Sequence, residues 1–166
     1  MTDSDPTLAE LAERVSRIEQ RLADAPGAAG AAGSADRFWA LQELKRREAR
    51  PSVLFAGLVD TAAGPVEWQM GYDSAGLLEE DWKARAAAMA ALGHPSRLQI
   101  LQLVARGTCH TAAELSQAEG LGTSGQIYHH LRQLASAGWL TSTTKGRYQV
   151  PPERVVPLLV ILGASR

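Results

Sequence analysis

Two helix starts of the same chemistry lie twelve residues apart in this chain, Thr111-Ala112-Ala113-Glu114 and Thr123-Ser124-Gly125-Gln126. Both have the Ser/Thr-x-x-Glu/Gln form, in which the first and fourth residues each use a side chain to cap the other's backbone N–H. Boxes so close together require two short helices with a tight connection. That connection is Ala118-Glu119-Gly120-Leu121-Gly122, whose glycines permit the left-handed backbone of a sharp interhelical turn. Trp139 to Thr144 and Tyr148-Gln149-Val150 then form a small hairpin around Lys145-Gly146-Arg147, with two cations at its tip. Helix, turn, helix and basic hairpin in this order predict a winged helix-turn-helix between Ala91 and Val150, and with it a DNA-binding module.

The formal net charge of -1 conceals a division that supports this reading. Residues 1–82 carry 8 Lys/Arg against 15 Asp/Glu, and residues 83–166 carry 9 against 3, so the halves stand at -7 and +6. The basic half is the one with the capping boxes, which is the electrostatic footprint expected of a nucleic-acid domain. A hydrophobic content of 45% over 166 residues supports one good core and a small second unit, and excludes a disordered chain. Cys109 is the single cysteine; it excludes an intrachain disulfide framework and suits a reducing compartment. The start Met1-Thr2-Asp3-Ser4-Asp5 is acidic and shows no secretory signal. The most apolar run, Val155 to Leu162 interrupted by Pro157, is far shorter than the roughly 20 residues of a bilayer span. A soluble, cytoplasmic protein with no membrane association is expected.

Upstream of the module the chain divides by pattern. Leu8, Leu11, Val15, Ile18 and Leu22 repeat at alternating intervals of three and four, so residues 1–23 read as a coiled-coil-like helix of two heptads or as a plain amphipathic helix packed on its own chain. Residues 24–36 are small and Gly-rich and read as a flexible linker. Residues 37–81 form a helix and β-hairpin accessory unit. Its helix, Asp36 to Arg50, places Phe38, Leu41 and Leu44 or Trp39 on an apolar face, and Pro51 stops it. Its strands are Ser52 to Thr61 and Val66 to Asp73, joined at Ala62-Ala63-Gly64-Pro65, with Val66, Trp68, Met70 and Tyr72 alternating as one buried face. A lone two-stranded hairpin is marginal in water, so it must pack on a helix or a second subunit. The aromatics Phe38, Trp39, Phe55, Trp68, Tyr72 and Trp82 of the acidic half either form a small core or line a ligand pocket. Trp82 to Leu92 is an alanine-rich helix, and residues 82–166 are the DNA-binding domain, closed by an apolar helix from Glu153 to Gly163 suited to dimerisation. The fold class is mainly α with small β hairpins.

The second capped helix can be oriented from its own residues. Ile127, Leu131 and Leu134 mark a buried stripe, and at about 100° per residue Gly125, His129, Arg132 and Ser136 project the other way, flanked by Gln126, Tyr128 and Gln133. The expected DNA face is therefore Thr123, Ser124, Gly125, Gln126, Tyr128, His129 and Arg132. Ser124, Gln126 and His129 are placed for base edges, where a Gln amide pairs bidentately with adenine. Arg132 suits a phosphate, and Lys145 and Arg147 of the wing suit backbone or minor groove. His130 lies beside the buried stripe and is either a hydrogen-bonded structural histidine or a phosphate contact.

The phrase Ala91-Leu92-Gly93-His94-Pro95-Ser96-Arg97-Leu98-Gln99-Ile100-Leu101 closely resembles the Ala-Leu-x-x-Pro-Thr/Ser-Arg-Leu-x-Ile-Leu opening of ArsR-type (ArsR/SmtB-like) winged helix regulators. The likeness continues through Ala113-Glu114-Leu115, Tyr128-His129-His130-Leu131-Arg132-Gln133-Leu134 and Ala137-Gly138-Trp139-Leu140, and covers about residues 84–160. It implies a dimeric transcription regulator, acting by repression, whose DNA affinity is tuned by an effector. Metal-sensing members carry cysteines in the helix after Cys109-His110, but here the corresponding positions are Thr111 and Ala113, which supply no soft thiolate ligands. No metal, no cofactor and no catalytic constellation is read, and the chain is not expected to be an enzyme. Expected partners are double-stranded DNA, a second copy or a higher homo-oligomer, and a small-molecule effector of unknown class. The alternatives are a protein-interaction module and an architectural DNA coater that self-assembles through its N-terminal helices.

Overall fold

A computed structural model of the chain describes residues 12–17, 38–143 and 145–166. It has two compact units, divided between Arg50 and Pro51. The heptad pattern, apart from the helical residues 12–17, and the linker at 24–36 lie outside the described residues. In the first unit α1 (Trp39–Arg47) ends in Lys45, Arg46 and Arg47, cations that suit a helix C-terminus. Glu43 accepts hydrogen bonds from the guanidinium groups of Arg46 and Arg47, and these hold its carboxyl at about 2. No residue of α1 is buried; Phe38, Trp39 and Leu41 are all exposed.

The second unit begins with a fully paired antiparallel hairpin, β1 (Ser52–Thr61) and β2 (Gly64–Asp73), running from Ser52 opposite Asp73 to Thr61 opposite Gly64. The turn is the two residues Ala62-Ala63 rather than the four expected from the sequence. The Thr61 hydroxyl makes the shorter turn possible: it donates to the Gly64 carbonyl at 2.7 Å and accepts from the Ala63 N–H at 3.2 Å. Val66, Trp68 and Met70 are half-buried and alternate with exposed neighbours, whereas Tyr72 at the strand end is exposed. The Asp73 carboxylate then caps the short α2 (Ser74–Glu79) by accepting from Gly76 N–H. The helix expected over Trp82 to Leu92 is in two pieces, a single 3-10 turn at Trp82–Arg85 and then α3 (Ala86–Leu92).

The remaining elements are α4 (Pro95–Ala105), α5 (Ala112–Leu115), α6 (Ser124–Ser136), the two-residue strands β3 (Thr141–Ser142) and β4 (Tyr148–Gln149), and α7 (Pro152–Ala164). Helices and small antiparallel hairpins make a mainly α protein with a hairpin wing, as the sequence predicts. Ile100 and Leu101 of α4, Leu115 of α5, Leu121 of the turn, and Ile127, Leu131 and Leu134 of α6 are at most 2% exposed, each worth about 1.5–3 kcal/mol against exposure. They form one cluster with Trp139, Leu140 and Leu158 of α7. Trp139 is fixed further by its indole N–H, which donates to the Ala88 carbonyl at 2.9 Å. Helix α7 continues through Pro157, whose missing N–H forfeits one bond in the second turn.

The hairpin packs against α7, which meets its need for a partner surface. Gly57, opposite Trp68 in the ladder, makes the approach possible: a Cβ there would lie 2.8 Å from Val156 Cγ1 and 2.9 Å from Cγ2, distances that packed carbon atoms do not tolerate. This packing joins the hairpin to the helix-turn-helix unit, and the boundary at Arg50/Pro51 falls inside the 37–81 segment of the sequence division. Among the described residues no helix is long and apolar enough to cross a membrane.

Candidate nucleic-acid interface

Both capping boxes form. At α5 the Thr111 hydroxyl accepts from Glu114 N–H at 3.2 Å, while the Glu114 carboxylate accepts from the N–H groups of Thr111 at 3.0 Å and His110 at 2.5 Å. Those two N–H donors, His110 first, hold the Glu114 carboxyl below its ordinary range, and the positive charge of Arg147 adds to them. At α6 the Thr123 hydroxyl accepts from Gln126 N–H at 3.4 Å, and the Gln126 side-chain carbonyl accepts from Thr123 N–H at 2.8 Å. Gly122 precedes this cap with φ +87°, and a Cβ on it would fall 2.4 Å from Gln126 Oε1. The turn requires glycine both for its left-handed backbone and for the space the cap occupies.

Helix α6 has one closed and one open face. Ile127, Leu131 and Leu134 are 0%, 1% and 0% exposed, and Thr123, Ser124, Gly125, Gln126, Tyr128, His129 and Arg132 are all exposed. The wing strands pair Thr141 with Gln149 and Ser142 with Tyr148, and the Tyr148 N–H donates to the His110 carbonyl at 2.6 Å, tying the wing to the start of α5. Lys145 and Arg147 are exposed at its tip. The α6 residues therefore share one surface, and the two cations are carried by a separate element.

Three details differ from what the sequence suggests. The Gln126 carbonyl oxygen is engaged in its own cap, so while the cap holds this side chain offers only its amide N–H2 and lacks the acceptor that a bidentate adenine pair requires. Gln133 is half-buried and accepts from Arg97 Nη1 at 2.6 Å, which takes it off the flank of the exposed face. Arg97 also donates to the carbonyls of Ala91 at 2.6 Å and Ala90 at 2.8 Å, satisfying the end of α3. Its only sequence signal was a place in the Pro-Ser-Arg phrase, which says nothing of a partner 36 residues away.

His130 is half-buried with its ring centroid 4.6 Å from that of His94, and its Nδ1 is buried without a hydrogen-bond partner. It is thus off the open face and not hydrogen-bonded at Nδ1. Burial first, then the neighbouring His94, Arg97 and His129, lower its pKa. The unfolded chain, with an ordinary value of about 6.5, therefore takes up this proton before the folded chain does. The contribution of neutral His130 is complete above about pH 6.5 and is lost as pH falls towards the folded value. Urea midpoints measured from pH 8 to pH 5 are expected to fall, and His130→Gln is expected to make that decline shallower. An unchanged pH dependence in the variant would refute this account.

Cys109 is buried in the core cluster, and burial, with a smaller effect of Glu114, raises its thiol pKa, the opposite of what a reactive thiolate requires. Among the described residues no group of three or more His, Cys, Asp or Glu is arranged to hold a metal ion. Of the aromatics of the acidic half, Phe38, Trp39 and Trp82 are exposed, Phe55 stacks on Tyr72 at 6.3 Å, and Trp68 borders a cleft beside the wing.

Two capped helices joined through a glycine turn and followed by a hairpin define a helix-turn-helix domain with a wing. Residues 92–143 match the family model of a helix-turn-helix domain, a span that runs from the end of α3 through β3. Comparison with curated proteins and with solved structures gives no match. The domain match supports DNA binding and transcription regulation as the class of activity.

Proposed function

We propose that this protein is a sequence-specific transcription regulator of ArsR-like type, acting in the cytoplasm as a homodimer and by repression. Helix α6 enters the major groove through Thr123, Ser124, Gly125, Gln126, Tyr128, His129 and Arg132, and Lys145 and Arg147 rest on the DNA backbone. The observation that carries this reading is the open face of α6, exposed throughout and set against a stripe buried to within 1%, in the half of the chain with charge +6. Exposed Leu159, Val160 and Leu162 on α7 give a second copy an apolar surface to cover. Two-fold symmetry then requires a palindromic site with half-sites roughly 34–36 Å apart.

Selection of genomic fragments by the purified chain at moderate salt tests the proposal, and enrichment of one palindrome over random duplex is expected. Ser124→Ala is expected to change preference at one base position by about 0.5–1.5 kcal/mol, the worth of one neutral hydrogen bond. Fragments recovered without any common site would overturn sequence-specific regulation. The second reading, an architectural protein that assembles through its N-terminal helices, is favoured by the uncovered Phe38, Trp39 and Leu41; deletion of residues 1–50 would then abolish cooperative DNA binding, whereas a dimeric repressor retains its site.

A further inference from the structure

An open cleft of about 620 Å³ lies where the turn of the β1–β2 hairpin, the wing and the start of α7 meet, within the roughly 300–1,000 Å³ range of small-molecule sites. Val66, Val104 and Val155 give it apolar walls, and Trp68, His110 and Arg147 contribute polar groups. Such a balance of broad apolar surface and few polar groups characterises ligand pockets.

Two observations bear on what would enter. The Trp68 Nε1–H is buried without an acceptor, and an unmade hydrogen bond of this kind costs about 1–3 kcal/mol. It would be relieved by an acceptor brought within reach as the indole turns. Arg147 is the cation at the cleft. Glu67, which also borders it, is exposed and alternates with the inward Val66 and Trp68. The main chain at His110 is already satisfied, with its carbonyl accepting from Tyr148 and its N–H donating to Glu114, so His110 meets a ligand through its side chain.

We propose that this cleft binds a small, predominantly apolar monocarboxylate, its carboxylate paired with Arg147 and accepting from the Trp68 N–H, and its body laid against the valines. Arg147 is also the wing cation assigned to DNA above, so the bound acid and a DNA phosphate compete for one guanidinium. The acid thereby weakens DNA binding. This regulatory half rests on the DNA-binding reading; the binding half does not.

The full chain is titrated without DNA with octanoate and phenylacetate, and with octanamide and phenylacetamide as uncharged controls, followed by calorimetry and tryptophan fluorescence. At least one acid is expected to bind saturably, its amide at least tenfold more weakly. Arg147→Gln, an exposed change that leaves the core intact, is expected to weaken the acid at least tenfold, with Arg147→Lys retaining part of the affinity. The fluorescence change is expected to disappear in Trp68→Phe. Absence of saturable binding by either acid, equal binding of acid and amide, or indifference to Arg147→Gln overturns the proposal. DNA binding is measured separately: a chain that selects DNA but binds neither acid refutes the cleft alone. A chain that binds the acids but shows no DNA affinity refutes the competition together with the DNA reading.

Discussion

Gly107→Ala is expected to destabilise the chain by about 2–5 kcal/mol, read as a lower urea midpoint. Gly107 follows α4 with φ +72°, and a Cβ there would lie 2.3 Å from the Cβ of Ala62 in the hairpin turn. The left-handed backbone alone costs a non-glycine residue about 1–2 kcal/mol. Forcing the turn away from α4 adds the cost of overpacking, about 1–3 kcal/mol. The two parts are separable, because Ala62→Gly removes the clash and leaves the backbone strain. The double variant should therefore lie between Gly107→Ala and the wild type. A Gly107→Ala loss of only about 1–2 kcal/mol that Ala62→Gly does not reduce would show that the hairpin does not dock here.

Arg132→Ala and Arg147→Ala are each expected to weaken DNA binding about tenfold on every sequence, in keeping with the loss of one charged hydrogen bond. Both side chains are exposed, one on α6 and one on the wing. Contacts on separate elements add, so the double variant should lose about a hundredfold. The plot of log affinity against log salt should become shallower by about 0.9 for each phosphate contact removed. Measurement at several salt concentrations on one selected site and one random duplex provides the check. A change in the ranking of sequences, or an unaltered salt slope, would mean that these arginines read bases or touch no DNA.

The helix-turn-helix was legible because its determinants are local. Each capping box spans four residues, and the Ile127, Leu131 and Leu134 stripe follows from helical periodicity alone. The two-residue turn was obscured because Ala62-Ala63 carries no hairpin signal, and the Thr61 hydroxyl supplies the closure instead. Docking of the hairpin depends on Gly57 meeting Val156 and Gly107 meeting Ala62, pairs far apart in sequence with no pattern between them. At the interface the composition of the open face was readable. What sequence could not show was that Gln126 and Gln133 are already committed, one to its own cap and one to Arg97.

Arg97 reaches three acceptors, on Ala90, Ala91 and Gln133. Two of these acceptors close the end of α3 and the third belongs to α6, so one side chain bridges the two helices. The orientation of α6 relative to α3 is thereby held from behind the helix, by an arginine on the side away from the exposed row of Gly125, His129 and Arg132.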